Sequence, residues 1–226
     1  MLRPFIPLGE CLARAYDSNA PGIIGEMKFR WKSIWPGAVL LLFFSISCAV
    51  LSQFQNLCSC LPLLPDIADY RHAAKHVPIP TGAPTMITVD TILSWPQTPI
   101  LPPTQPRFGR ELQLVEVQTA YLENASVNSG DCDIHLEISQ TSDAQAPRVI
   151  IETPVDSEYC SNRQAIQSQL KQKGFRLDSS HGGDLPTPLP VSVLGLPFED
   201  FEHPQQRGTA QVATLWEIHP ATITFL

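Results

Sequence analysis

"SNRQAIQSQLKQKGF", residues 161–175, is the one segment of this chain with a convincing helical signature. Ser161 or Asn162 stands where a side-chain oxygen caps the first free amides, Ala165, Ile166 and Leu170 recur at helical spacing, and Gly174 marks the stop. The segments around it read as strands. Upstream, ELQLVEVQTAYL (111–122) is rich in β-formers, DCDIHLEIS (131–139) alternates cleanly, and RVIIE (148–152) is a short apolar run closed by Thr153-Pro154. Downstream, LPVSVLGLPF (189–198) and ATLWEIHPATITFL (213–226) return to strand. The order β-β-β-α-β-β is that of the OB-fold, a five-stranded Greek-key barrel with a helix between its third and fourth strands. The expectation is therefore a mainly β, OB-like barrel over 107–226. A generic α+β sheet domain is the alternative, because element order alone does not fix strand pairing.

The N-terminal half has another character. Residues 27–53 read MKFRWKSIWPGAVLLLFFSISCAVLSQ: Lys28, Arg30 and Lys32, then an apolar run over 37–51. That is the layout of a secretory signal, and the run is short of the roughly 20 residues that span a bilayer. Val50-Leu51-Ser52 and Ser47-Cys48-Ala49 are candidate cleavage sites, whereas Ser45 to Cys48 is a poor lipoprotein signal. Residues 27–52 are thus a signal peptide, or a membrane anchor through 37–51 if uncleaved, and 1–26 an upstream extension from a mis-assigned start. The expected location is exported: periplasmic, extracellular or membrane-anchored. Eight of the thirty residues over 77–106 are proline, so 53–106 is expected to be a linker, although MITVDTIL (86–93) has the composition of an edge strand.

Charge narrows the partners. The formal charge of −7 is uneven: residues 1–110 hold nine Lys/Arg against six Asp/Glu, and 111–226 hold six against sixteen. Polymeric nucleic acid is disfavoured, because phosphate capture calls for clustered Lys/Arg. No phosphate-binding glycine loop, nucleophile elbow or H-E-x-x-H helix is present.

Alternation in DCDIHLEIS places Asp131, Asp133, His135 and Glu137 on one face and Cys132, Ile134, Leu136 and Ile138 on the core face. LWEIHP repeats the pattern with Glu217 and His219 against Trp216 and Ile218. An imidazole between carboxylates offers a divalent cation mixed nitrogen and oxygen ligands, or holds a raised pKa. If the last strand pairs near the second, the two acid–histidine pairs converge. Glu152, and Asp200 and His203 in the loop FEDFEHPQQRG, are candidates to join them, while Glu137 falls outside the recurring motif and reads as the least special member of its face. For any one of these residues, an exposed strand face is the simpler explanation. Export leaves Cys58, Cys60, Cys132 and Cys160, which allow three full pairings; Cys132–Cys160 is a staple if the second strand and helix start are close. Cys160 as a nucleophile is weaker, since nothing near it in sequence marks an activated thiolate. Asn124-Ala-Ser is a glycosylation sequon only in a host that uses such sites.

The set D-x-D-x-H-L at 131–136, I-E-x-P at 151–154, V-x-V-x-G with F-x-D-x-x-H at 191–203, and E-I-H-P at 217–220 resembles a family of small, mostly uncharacterised, exported bacterial proteins. A glycine straight after the histidine of HPQQRGTA would be expected there and is absent. A more distant resemblance runs to the thermonuclease type of OB-fold nuclease, through DCD at 131–133 and RVIIETP at 148–154. It implies Asp133 and Glu152 as calcium-type ligands and Arg148 as a phosphate contact. The general-base glutamate after T-P is replaced by Val155, with Asp156 next, and His135 and E-I-H-P have no counterpart.

Two functions follow as expectations. The first is an exported OB-like binding module that takes a small ligand, a cation or a protein partner on its acid–histidine face. The second is a metal-dependent hydrolase of phosphodiester or similar ester bonds. In the hydrolase, Asp133, His135, Glu152, Glu217 and His219 bind the cation, His135 or His219 serves as ligand or base, and Arg148 holds substrate charge.

Overall fold

Strand period and core burial agree closely over the C-terminal half of the protein. The structure, a computed structural model, describes residues 57–60, 70–98, 100–201 and 208–226. The upstream extension, the signal or anchor segment and its cleavage sites, and His203 lie outside them.

Five long strands form the barrel: β2 (Val115–Val127), β3 (Ile134–Ser139), β4 (Arg148–Thr153), β5 (Gly183–Glu199) and β6 (Val212–Phe225), with a short β1 (Thr85–Ile87) before them. The sheet order is β1-β2-β3-β4-β6-β5, and a β2–β5 pairing closes it into a ring. All pairings within the ring are antiparallel except β4–β6, which is parallel. Such a crossover needs a long connection, and it contains the main helix (Cys160–Gln172). This is the small OB-like barrel that the element order predicts. Ile134, Leu136 and Ile138 of β3, Val149 and Ile151 of β4, and Ile218 of β6 are fully buried in its interior. Each contributes on the order of 1.5–3 kcal/mol by leaving water.

The main helix packs Ile166 and Leu170 against that interior and ends at Gly174, whose φ of +80° fits the expected stop. Its start differs from expectation, because it begins at Cys160 without a side-chain cap. Asn162 instead exchanges two hydrogen bonds with the backbone of Ile223 on β6, donating from Nδ2 at 2.9 Å and accepting at Oδ1 at 3.1 Å. Arg163 on the same helix is fully buried and donates to the carbonyls of Leu57, Cys132 and Thr153 at 3.0, 2.7 and 2.6 Å.

The segment read as a linker is in large part folded onto the barrel. Proline does extend it locally, but apolar and charged side chains between the prolines find partners. β1 pairs in parallel with β2, and the rest of MITVDTIL turns into a short helix (Val89–Leu93) because Thr88 and Thr91 form a reciprocal cap. Val89 and Ile92 are fully buried. Residues 70–76, hereafter the strap, include a one-turn helix (His72–Lys75). Arg71 fixes the strap through a bidentate pair with Glu111, both contacts 2.7 Å, with side-chain exposures of 0% and 1%. Arg107 adds a second tie by donating to the carbonyls of Ala74 on the strap, Pro197 on β5 and His219 on β6.

The cysteines also pair differently from the staple considered. Cys58 joins Cys160 and Cys60 joins Cys132, so the bridges tie the N-terminal segment to the barrel. Closing the 102-residue separation of the first removes about 4–5 kcal/mol of unfolded-chain entropy. Cys160 is consequently no free thiol. Asn124 of the sequon is 7% exposed on β2 and donates to Asp184, which leaves no room for a glycan.

Glu111→Gln should destabilise the oxidised protein by roughly 3–5 kcal/mol in denaturant melts, because it leaves the Arg71 guanidinium buried beside a neutral group. A loss below 1 kcal/mol would show that the strap is not held by this pair.

Candidate functional site

Strand register places the candidate residues. His135 on β3 lies directly opposite Glu152 on β4. Ile151 is opposite Ile218 on β6, so His219 comes beside Glu152 from the other side. The two acid–histidine pairs therefore meet, but by a different route from the one expected: β6 does not pair with β3, and β4 stands between them. Glu152 fills the gap, with Oε1 3.1 Å from His135 Nδ1 and Oε2 2.9 Å from His219 Nδ1. Glu217 Oε1 is 3.3 Å from His219 Nδ1, and Asp133 Oδ2 is 3.3 Å from His219 Nε2. All five predicted cation ligands thus belong to one cluster.

Contrary to the simplest reading of the alternation, this face is dry. Side-chain exposure is 1% for Asp133 and His219, 3% for Glu217, 8% for Glu152 and 12% for His135. The strap lies over it: the ring centroid of His76 is 5.8 Å from that of His219, and Tyr159 anchors the next residue by donating to the Val77 carbonyl at 2.8 Å. His76 was invisible to the strand argument. Its signal is the spacing H-A-A-K-H at 72–76, which puts two imidazoles one turn apart, their centroids separated by 4.0 Å.

The lead-in to β3 is not extended. Cys132 has φ of +72°, which breaks the alternation before Ile134. Asp131 accepts from the Asp133 amide through Oδ1 at 2.9 Å, and Asp133 Oδ1 accepts from the Val155 amide at 2.8 Å. This turn, rather than strand period, aims Asp133 Oδ2 at His219.

Glu137 is far from incidental. It is fully buried, accepts from Arg148 Nη1 at 3.0 Å and from the Thr209 amide at 2.6 Å, and lies 3.6 Å from His135 Nε2. Arg148, expected to face substrate, is committed to this ion pair and to Asp184 at 3.0 Å, with 3% of its side chain exposed. The polypeptide passes close above: at Gly208, φ +91°, a Cβ would come 3.0 Å from His135 Nε2 and nearer still to Glu137 Oε1. Asp200 pairs with Lys75 of the strap at 3.6 Å instead of joining the histidines. His135 is the one predicted ligand that also lines an open cleft of about 440 Å³, opposite His181 and Ser180.

Electrostatics follow from this packing. Burial opposes charge on His135, but Glu137 and Glu152 outweigh it and push the imidazole pKa up to about 10. Burial likewise opposes charge on His219, and Asp133, Glu152 and Glu217 raise its pKa well above the ordinary value. Burial would raise Glu152, yet the two imidazoles hold it well below the usual carboxylate range. Glu217 is raised by burial and by the negative charge of Glu152. Asp131 is raised to about 7 by burial, with Glu152 and Asp133 adding to the effect.

One feature sets the cluster apart from an ordinary ion-pair network. Both ring nitrogens of His219, Asp133 Oδ2, Glu217 Oε1 and His135 Nε2 are buried and make no hydrogen bond among the described residues. The ionic contacts at 2.9–3.3 Å are near without being aligned. Donor atoms from Glu152, Glu217 and His219, and separately from His76, Asp133 and His219, lie within 4.8 Å of one another.

Without cations the His135 imidazolium contributes stability that is full below its ordinary pKa of 6.5 and is lost as pH rises through about 10. In chelator-treated protein the melting temperature should fall across that window, and His135→Gln should flatten the fall. A wild-type slope unchanged in the variant would remove His135 from the network.

Comparison with protein-family models, with curated proteins and with solved structures finds no match for this chain.

Proposed function

We propose that this chain is an exported OB-like binding module whose acid–histidine face holds a divalent cation. Export rests on the signal-like segment at 27–52. The cation rests on one observation above all: His219 is 1% exposed, has both ring nitrogens without a hydrogen bond among the described residues, and is ringed by three carboxylates. A buried polar atom left unbonded costs about 1–3 kcal/mol, and a cation relieves several such atoms together. It also neutralises carboxylates that low-dielectric surroundings otherwise penalise.

Calorimetric titration of the oxidised full chain with Zn²⁺, Mn²⁺ and Ca²⁺ tests the reading. One ion per chain is expected for at least one metal, with the heat abolished in His219→Gln. Absence of binding by all three would leave an imidazolium–carboxylate staple and sink the proposal.

The hydrolase is a second reading, supported by the position of His135 between the buried cluster and the open cleft. Against it stand the burial of His219 and Asp133, which keeps substrate from them, and the commitment of Arg148 to Glu137. Turnover of bis-nitrophenyl phosphate with the bound metal, lost in His135→Gln, would favour it; no turnover is the outcome expected here.

A further inference from the structure

We infer that the cation sits on the Nε2 side of His219, ligated by His76, Asp133 and His219, and that it is a transition ion of the Zn²⁺ class which locks the strap onto the barrel. The inference rests on the cation reading above and adds the seat, the metal class and the segment that closes it.

One imidazole cannot give both nitrogens to a single ion, so the two donor groups around His219 are alternatives. The Nε2 side faces Asp133 at 3.3 Å and shares its donor group with His76, whereas the Nδ1 side faces Glu152 at 2.9 Å and Glu217 at 3.3 Å. A histidine that ligates metal through one nitrogen almost always presents the other to a carboxylate, carbonyl or water, which fixes the tautomer and ring plane. On the Nε2 side that arrangement occurs twice with carboxylates. His219 has Glu152 behind its Nδ1, and His76 has Asp156 Oδ2 2.7 Å behind its own Nδ1, so Nε2 is the ring nitrogen that His76 turns to the shared donor group. On the Nδ1 side the backing contact is the longer one to Asp133, and Glu152 is already shared with His135 at 3.1 Å. Asp133 completes the Nε2 set: it is fully buried, its Oδ1 is held by the Val155 amide, and its Oδ2 makes no hydrogen bond.

Two imidazoles and one carboxylate form a nitrogen-rich set. Ca²⁺ takes six to eight oxygens, which this side of the ring does not supply, whereas imidazole suits Zn²⁺ and its first-row neighbours. The arrangement has a mechanical consequence, because His76 belongs to the strap while Asp133 and His219 belong to the barrel. The ion bridges the two and adds to the ties made by Arg71 and Arg107.

The test uses the oxidised full chain, with Co²⁺ as an optical probe and Zn²⁺ as competitor. Asp156→Ala is the informative variant, since 43% of that side chain is exposed and its loss disturbs no core. It is expected to weaken Zn²⁺ binding by about tenfold or more, and His76→Ala by at least as much, with a changed Co²⁺ spectrum. Glu217→Gln should weaken Zn²⁺ binding less than either of them, and Zn²⁺ should exceed Ca²⁺ by about a hundredfold or more. If Glu217→Gln loses binding while Asp156→Ala and His76→Ala keep it, or if Ca²⁺ is preferred, the seat or metal class is wrong and the cation reading survives. If the wild type binds neither Zn²⁺ nor Co²⁺ nor any other divalent ion, the cation reading itself fails. Should a variant not fold, imidazole ¹⁵N shifts of the wild type decide. Movement of both Nε2 atoms, of His76 and His219, on adding Zn²⁺ supports the assignment, and movement at His219 Nδ1 alone overturns it.

Discussion

Glu152 is the carboxylate that both histidines share, and the outer face of the barrel is organised around it. Its two oxygens reach imidazoles from opposite neighbours, His135 across the antiparallel pair and His219 across the parallel one. A carboxylate this deeply buried stays charged only when positive charge is close. The strand order β3-β4-β6 is therefore an electrostatic arrangement as well as a topological one. Placing β4 anywhere else in the barrel would strand its glutamate in an apolar medium and leave two imidazoles without their common partner.

The second constraint is the cover. A polar outer sheet face normally meets water, but here the strap and the return of the chain at Gly208 exclude it. Exclusion of water raises the strength of every charge interaction beneath and the cost of every imperfect one. Arg71 and Glu111 pair bidentately within the cover, and Arg148 pairs with Glu137 at the other end of the face, although its Nε makes no hydrogen bond among the described residues. Between these two matched pairs lies the region around His219, where near contacts lack alignment. Most of the unbonded buried side-chain atoms among the described residues thus belong to the acids and histidines of this face.

Much of this was legible in the sequence because strands encode faces. The alternation in IHLEI and WEIH correctly separated Ile134, Leu136 and Ile218 in the core from His135, Glu217 and His219 outside it. The β-β-β-α-β-β order sufficed for the barrel. Pairing was not legible, since periodicity says which way a side chain points and nothing about which strand lies beside it. Glu137 looked ordinary because its partners, Arg148 and Thr209, are 11 and 72 residues away. The strap was missed for a related reason: its composition is that of a linker, and what holds it is long-range, the pair of Arg71 with Glu111 and the donation from Arg107 to the Ala74 carbonyl. Cys132 broke the alternation through a positive φ that its residue type did not announce.

The connectivity of the cysteines bears on how the protein is made. Cys58 and Cys60 leave the ribosome first, while their partners follow 102 and 72 residues later. Cys132 lies just ahead of β3 and Cys160 opens the main helix, so each bridge joins the first-made segment to a part of the fold made much later. The pairing is nested, with the outer cysteine joined to the later partner, so neither bridge can close before the chain has been made through Cys132.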